Sequence, residues 1–286
     1  MKESNVAVLM TCYNRKDVTL RCLRQFFAQK KPSGVSFDIY LVDDASPDNT
    51  GESVKSEFPN VNVIMGTGDL FWCKGMRCAW DAAIKSGVSY DFYLWLNDDV
   101  QFFDNAIETF FNDYKAVCVE CGKPGIVVGA YSQTAGSEEA VYGLWDLQKR
   151  IIQPDGHPKW VKGDVMNGNL VLVPREIYER IGPIYGKYYH GFGDADYRMM
   201  AERAGYKVYS SSKILGVCPR TPEHYDDILT KPFIRRLKSL FGVKFGDAGA
   251  TILNTFRYRY RNWGVTMAIL SCSRYVFKVL FASGKR

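Results

Sequence analysis

The sequence predicts an α/β protein built on a doubly wound, mostly parallel sheet. Three observations carry that reading. Short apolar runs alternate with amphipathic helical patterns at intervals of roughly 25 to 30 residues. The run Phe92-Tyr-Leu-Trp-Leu-Asn97, five of whose six residues are apolar or aromatic, suits a central strand buried on both faces and ends abruptly in Asp98 and Asp99. An earlier run ends the same way, in Asp43 and Asp44. Acids at the C-terminal ends of parallel strands stand where open α/β sheets bind ligands.

The elements follow in order. Asn5-Val-Ala-Val-Leu-Met-Thr11 reads as the first strand, left through Cys12-Tyr-Asn-Arg15. From Asp17 to Gln29 the residues Val18, Leu20, Leu23, Phe26 and Phe27 form one helical face. Phe37-Asp-Ile-Tyr-Leu-Val42 is the second strand and runs into the turn-rich Asp43 to Thr50 segment. That segment also fits a plain turn and helix cap. Val61-Asn-Val-Ile-Met65 is the third strand, and a helix is expected from Lys74 to Ser86 ahead of the central strand. The fold is expected to occupy residues 1–215, with a nucleotide half (1–100) and an acceptor half (101–215). Residues 216–286 would form a mainly helical, basic extension.

Charge and cysteine usage narrow the function classes. The chain of 286 residues carries +6 overall, but residues 231–286 hold 12 Lys or Arg and one acid, leaving the remainder at −5. An acidic body with a basic, aromatic tail points to an anionic surface as partner, membrane or polymer, with a membrane face the better fit; a helical lid or a homodimer face is the alternative. The stretch from Met267 to Phe281 is interrupted by Arg274 and Lys278 and falls short of the ~20 residues a spanning helix needs, so an interfacial position fits it better. No nucleic-acid motif is present, and none is expected as partner. Eight scattered cysteines and a start, Met1-Lys-Glu-Ser4, without a signal-peptide pattern point to reduced thiols in the cytoplasm. Cys118-Val-Glu-Cys121 has no second pair to complete a zinc site. Gly66-Thr-Gly68 neither follows the first strand nor has a third glycine, and no Walker lysine motif occurs, which argues against dinucleotide and P-loop enzymes.

Adjacent carboxylates repel unless a cation lies between them, and a hard ion such as Mg²⁺ or Mn²⁺ holding a diphosphate would resolve the repulsion of Asp98 and Asp99. Tyr13 can stack on a planar base, and Asp44 can accept a hydrogen bond from a base N–H.

Val8-Leu-Met-Thr-Cys-Tyr-Asn-Arg15, Leu41-Val-Asp-Asp-Ala-Ser46 and Leu96-Asn-Asp-Asp-Val100, in that order and spacing, resemble the family 2 nucleotide-sugar glycosyltransferases of the GT-A fold. The resemblance runs from residue 5 to about 210. It implies that Thr11, Tyr13, Arg15, Asp44 and Asp98 bind the nucleotide and that Asp99 ligates the metal. Lys74 or Arg77 would meet the diphosphate at a helix start; either also fits a solvated helix face. Asp164-Val-Met-Asn-Gly-Asn-Leu-Val-Leu-Val-Pro-Arg175 looks like the family's sugar-binding loop and strand, giving Asn167 and Gly168 acceptor or sugar roles, with Trp72 as a sugar platform or a core residue. Tyr188-Tyr-His-Gly-Phe-Gly-Asp-Ala-Asp-Tyr-Arg198 matches the family's Glu-Asp-x-Asp segment, except that Gly193 stands for the glutamate. Asp194 would then be the general base, an assignment that competes with a simple N-cap. Asp196 would lie on the acceptor side or orient its neighbours, and His190 would contact the acceptor or serve as a hydrogen-bonded structural residue. His224 would complete the metal shell.

The expected activity is a metal-dependent inverting transfer, with Mn²⁺ or Mg²⁺, from a UDP-sugar or dTDP-sugar to a hydroxyl of a glycan or lipid-linked glycan. Its setting would be cell-surface polysaccharide synthesis, with the protein peripheral on the inner membrane face. A non-catalytic carbohydrate- or membrane-binding subunit, or a sugar-1-phosphate nucleotidyltransferase, is the alternative. The latter needs a glycine-rich triphosphate loop that Thr11-Cys-Tyr-Asn-Arg15 does not supply.

Overall fold

A computed structural model describes residues 4–219, 232–242 and 251–281. The first half alternates strictly: β1 (Ser4–Cys12), α1 (Lys16–Ala28), β2 (Val35–Asp43), α2 (Thr50–Glu57), β3 (Asn62–Met65), α3 (Phe71–Lys85) and β4 (Phe92–Leu96). These four strands are parallel, in the order β3-β2-β1-β4. Then come β5 (Gln101–Phe102), α4 (Ala106–Cys121), β6 (Ile126–Ser132), β7 (Ala140–Tyr142), β8 (Lys159–Trp160), β9 (Leu170–Pro174), α5 (Arg175–Ile181), α6 (Gly193–Arg203) and β10 (Val208–Val217). The sheet continues as β9-β6-β10-β5, and β9 runs antiparallel to both β4 and β6. One sheet therefore spans both expected halves, and β10 carries it two residues past the expected boundary at 215.

Alternation along each strand builds a core on either face. Val6, Val8, Met10, Leu94 and Leu96 face Leu23 and Phe26 of α1, Val54 of α2 and Phe110 of α4. Ala7, Leu9, Tyr93 and Trp95 face Met76 and Trp80 of α3, Ile177 of α5 and Tyr197 of α6. Trp80 and Trp95 are wholly buried, with ring centroids 6.0 Å apart. The helix expected to start at Lys74 starts three residues earlier, at Phe71. Asp44 fixes that start, because it accepts N–H bonds from Gly68 (2.7 Å), Leu70 (2.8 Å) and Phe71 (3.1 Å) and so satisfies first-turn donors that the helix leaves open.

The extension is helical where described: α7 (Phe233–Phe241) and α8 (Ile252–Phe281). Gly264 has φ 84° and breaks α8 into two helical segments. By length and composition α8 is apolar enough to cross a membrane, which the 15 residues weighed from sequence were not. The break leaves 265–281, roughly 17 residues or ~25 Å of helix, short of the ~30 Å hydrocarbon layer.

Candidate active site

The crevice opens at the C-terminal ends of β1 and β4, with a volume of about 380 Å³. Thr11, Tyr13 and Arg15 enter it from the end of β1; Asp44 from the end of β2; Asp98 and Asp99 from the end of β4; Trp72 from the start of α3. Across from them stand Asn167 and Gly168, just ahead of β9, then His190 and, on the first turn of α6, Asp194. Eleven of the residues singled out from sequence thus share one wall system.

Arg15 organises the acids. Its Nη1 lies 3.0 Å from Asp98 Oδ1 and its Nη2 lies 3.1 Å from Asp99 Oδ2, so one guanidinium bridges both carboxylates. The buried Thr19 hydroxyl donates to Asp98 Oδ2 at 3.1 Å. Asp98 is 3% exposed. Burial pushes its carboxyl up to about 7, against the pull of Arg15 and with help from the charge of Asp99. Asp99 is the more open of the two and accepts a weak Cys218 Sγ contact at 3.7 Å.

The other acidic pair is held by backbone instead. Asp43 accepts from Ser46 N (3.0 Å) and Gly51 N (2.8 Å), closing the turn before α2. The turn-and-cap alternative therefore describes Asp43. Asp44 lines the crevice, yet its three backbone bonds leave about one of its roughly four acceptor positions for a base.

On the facing side, Asp194 accepts the N–H of Ala195 at 2.8 Å, and the N–H of Gly168 also bonds it. Burial outweighs these bonds and raises its carboxyl to about 6. Trp72 Nε1 donates to Asn97 Oδ1 at 2.7 Å, and a Cβ on Gly168 would meet the Trp72 ring at 2.5 Å. Glycine is thus required where the loop ahead of β9 crosses the indole. Asn167 Oδ1 accepts from Gly143 N (3.1 Å) and Trp145 Nε1 (2.9 Å), which fixes that loop.

Three expectations are corrected. Lys74 does not reach the crevice; its Nζ sits 3.7 Å from the centroid of the Tyr189 ring. Arg77 pairs with Asp81 (2.8 Å) and donates to the Ile184 carbonyl (3.3 Å). Because α3 starts at Phe71, its first turn offers Phe71 and Trp72 to the crevice and turns positions 74 and 77 toward the 184–189 loop. Asp196 is not an acceptor contact: it is 1% exposed and bonded by Arg261 Nε (3.2 Å) and Asn262 Nδ2 (2.6 Å) of α8. His224 lies outside the described residues.

Sequence reasoning missed Asn97 as the clamp on Trp72, and Asn169, whose Nδ2 meets Cys218 Sγ at 3.1 Å beside Asp99. Asn97 lay inside a quoted motif; Cys218 had no local signal, being one of eight scattered cysteines. Gly193 also gains a reason. A Cβ there would lie 2.6 Å from Cys73 Sγ and 3.1 Å from Ile184 Cδ1, so α6 can approach α3 only with glycine at this position.

The family profile described as Glycosyl transferase family 2 matches residues 7–158, more than half of the chain. The chain belongs to glycosyl transferase family 2. It is a glycosyltransferase by that membership, and its fold is GT-A. No curated protein matches it by sequence. Solved family 2 structures resemble it in fold at low identity. The mannosyltransferase PcManGT from Pyrobaculum calidifontis, in complex with GDP-Man and Mn²⁺, superposes with a TM-score of 0.55 at 15% identity, covering 99% of this chain and 76% of that one. S. aureus TarS 1–349 in complex with UDP-GlcNAc gives 0.55 at 14% identity, over 98% of this chain and 82% of that one. Against a longer TarS chain the TM-score is 0.52 at 15% identity, with 93% of this chain covered and only 44% of TarS.

Proposed function

We propose that this family 2 enzyme moves a hexosyl group from a nucleotide diphosphate donor to a hydroxyl of a glycan or lipid-linked glycan, inverting the anomeric centre. The observation that carries the reading is the meeting, in one crevice, of the Asp98–Asp99 edge and the solitary Asp194 at the start of α6. The donor is a UDP-sugar in the first place and a dTDP-sugar in the second. Tyr13, 53% exposed at the crevice, offers a free ring face to a base.

A divalent ion, Mn²⁺ or Mg²⁺, fits the acids. Two adjacent carboxylates already have a cation between them in Arg15, and their oxygens are the donors that hard ions take. Among the described residues no cluster of three or more His, Cys, Asp or Glu converges, so substrate phosphates and water would complete the shell. Asp99, the more open of the two, would hold the ion beside Asp98, and the ion when bound supplies positive charge to the diphosphate.

The residues of the chain do the rest. Asp194 takes the proton of the acceptor hydroxyl as the new C–O bond forms, and the bond to the diphosphate oxygen breaks on the opposite face. A carboxyl raised to about 6 is ionised at neutral pH while remaining basic enough to accept a proton. Arg15, displaced from one carboxylate, is placed to meet the phosphate. Trp72, Asn167, Gly168 and His190 line the wall between, where the transferred sugar and the acceptor would lie.

A thermal-shift panel of UDP, dTDP, GDP and CMP, each with Mn²⁺, Mg²⁺ or EDTA, tests the donor side. A metal-dependent shift with one pyrimidine diphosphate is expected; no shift with any nucleotide would sink the reading. Asp194→Asn should keep that shift while lowering turnover by ~10²- to 10⁴-fold.

The extension supports a location on the inner face of an anionic membrane. Ile234, Phe241, Ile269, Leu270 and Phe277 are exposed beside Arg235, Arg274 and Lys278. A homodimer face is the competing use of this surface. Co-sedimentation of the full chain with phosphatidylglycerol vesicles, but not with neutral ones, is expected, weakened in Phe277→Ser/Lys278→Glu. Dimerisation without vesicle binding would favour the alternative.

A further inference from the structure

The loop that carries Asp194 is gripped by the first half of α8 at three levels. At the base of α6, Phe192 has a left-handed backbone (φ 73°), and its ring stacks on Tyr258 at 4.6 Å and 16°. On the first turn, the carboxylate of Asp196 accepts from Arg261 Nε at 3.2 Å and Asn262 Nδ2 at 2.6 Å. Before the loop reaches Asp194, Arg257 donates to the Lys187 carbonyl at 2.8 Å, and the Arg261 guanidinium lies 3.8 Å from the Tyr185 ring centroid. Arg203, on the last turn of α6, returns a bond to the Asn262 carbonyl.

Two of these residues are costly to keep as they are. A bulky side chain in the left-handed region is strained and persists only where its surroundings hold it. A carboxylate 1% exposed is unfavourable unless it is paired. Both costs fall within two residues of Asp194, and α8 offsets both. Yet no residue of α8 lines the crevice, so its influence on the site passes through the loop.

We propose that the first half of α8, through Tyr258, Arg261 and Asn262, is a positioning element of the active site that holds the Asp194 loop in its working geometry. The C-terminal extension is then part of the transferase machinery and not an appendage to it. The inference rests on Asp194 being the base; the grip itself is measurable without that role. Tyr258 and Arg261 are positioning residues, since neither touches the crevice.

The test is hydrogen–deuterium exchange on the full chain, comparing wild type with Arg261→Met, Tyr258→Leu and Arg261→Lys. The second site guards against one variant failing to fold. Exchange across 185–198 is expected to rise ~10-fold or more in Arg261→Met and Tyr258→Leu. Amides of β1 and β4 should keep wild-type protection, and the UDP–Mn²⁺ thermal shift should be unchanged. Arg261→Lys keeps the charge beside Asp196 and should restore most of the protection. The inference is overturned if 185–198 exchanges as in wild type in both variants, or if protection falls evenly along the chain. Equal exchange in Arg261→Lys and Arg261→Met would also overturn it. Full turnover in Asp194→Asn would remove the base reading alone, and the exchange data would still report the grip.

Discussion

Asp43 and Asp44 end one parallel strand, Asp98 and Asp99 end another, and the two pairs are spelled almost alike. Their partners differ in kind. The first pair takes five backbone N–H bonds, two to Asp43 and three to Asp44. The second pair is held mainly by side chains, from Arg15, Thr19 and Cys218, and one member is pushed up to about 7. Backbone donors cannot leave without unravelling a turn, whereas a guanidinium can move aside for another cation. The same two letters thus close a turn at one strand end and keep an exchangeable charge at the next.

Four substitutions would sharpen or break that contrast. Asp99→Ala should give the largest effect, removing metal dependence from UDP binding and lowering transfer by ~10³-fold. An unchanged Mn²⁺ response would place the metal elsewhere. Asp44→Ala should orphan three N–H groups at the start of α3 and lower stability by about 3 kcal/mol, measured by urea unfolding. Its Mn²⁺ dependence should survive in whatever nucleotide binding remains. Arg15→Gln should lower stability without metal by about 1–2 kcal/mol, and Mn²⁺ alone should then stabilise it more than wild type.

The smallest effect concerns the solitary acid across the crevice. The Asp194 carboxyl is raised in the fold from 3.8 to about 6, so its charged form is disfavoured there. Its contribution to stability is fully kept below pH ~4 and is lost as pH rises through about 6. Asp194→Asn should therefore be more stable than wild type at pH 8, on the order of 1 kcal/mol given its partial exposure, and equal to it near pH 4. A variant equally stabilised at both pH values would show that packing, not charge, is responsible.

The alternating half was legible because each of its strands carries its own apolar run and each helix its own periodic face. Both acidic pairs were visible for the same reason, as abrupt ends to those runs. What failed depended on partners distant in the chain. Lys74 and Arg77 were assigned from a helix start that Asp44, some 27 residues earlier, sets at Phe71. Asp196 read as a site acid because Arg261 and Asn262, its partners, lie 65 and 66 residues onward. Gly193 looked like the loss of a family glutamate; the reason for it is Cys73 on α3, which no local pattern connects to it. The direction of β9 was invisible too, since its reversal leaves no mark on the apolar run that forms it.

That reversed strand fixes how far apart the two walls of the crevice sit. Leu96 at the end of β4 faces Leu170 at the start of β9, and one further rung joins Asn97 N to the Asn169 carbonyl at 2.9 Å. The acids that follow β4 and the 167–169 loop ahead of β9 are therefore adjacent teeth of one zip, spaced by the ~4.8 Å repeat between neighbouring strands. Slipping β9 by a single tooth would turn each of its side chains to the opposite face and take the 167–169 loop out of line with Asp98 and Asp99.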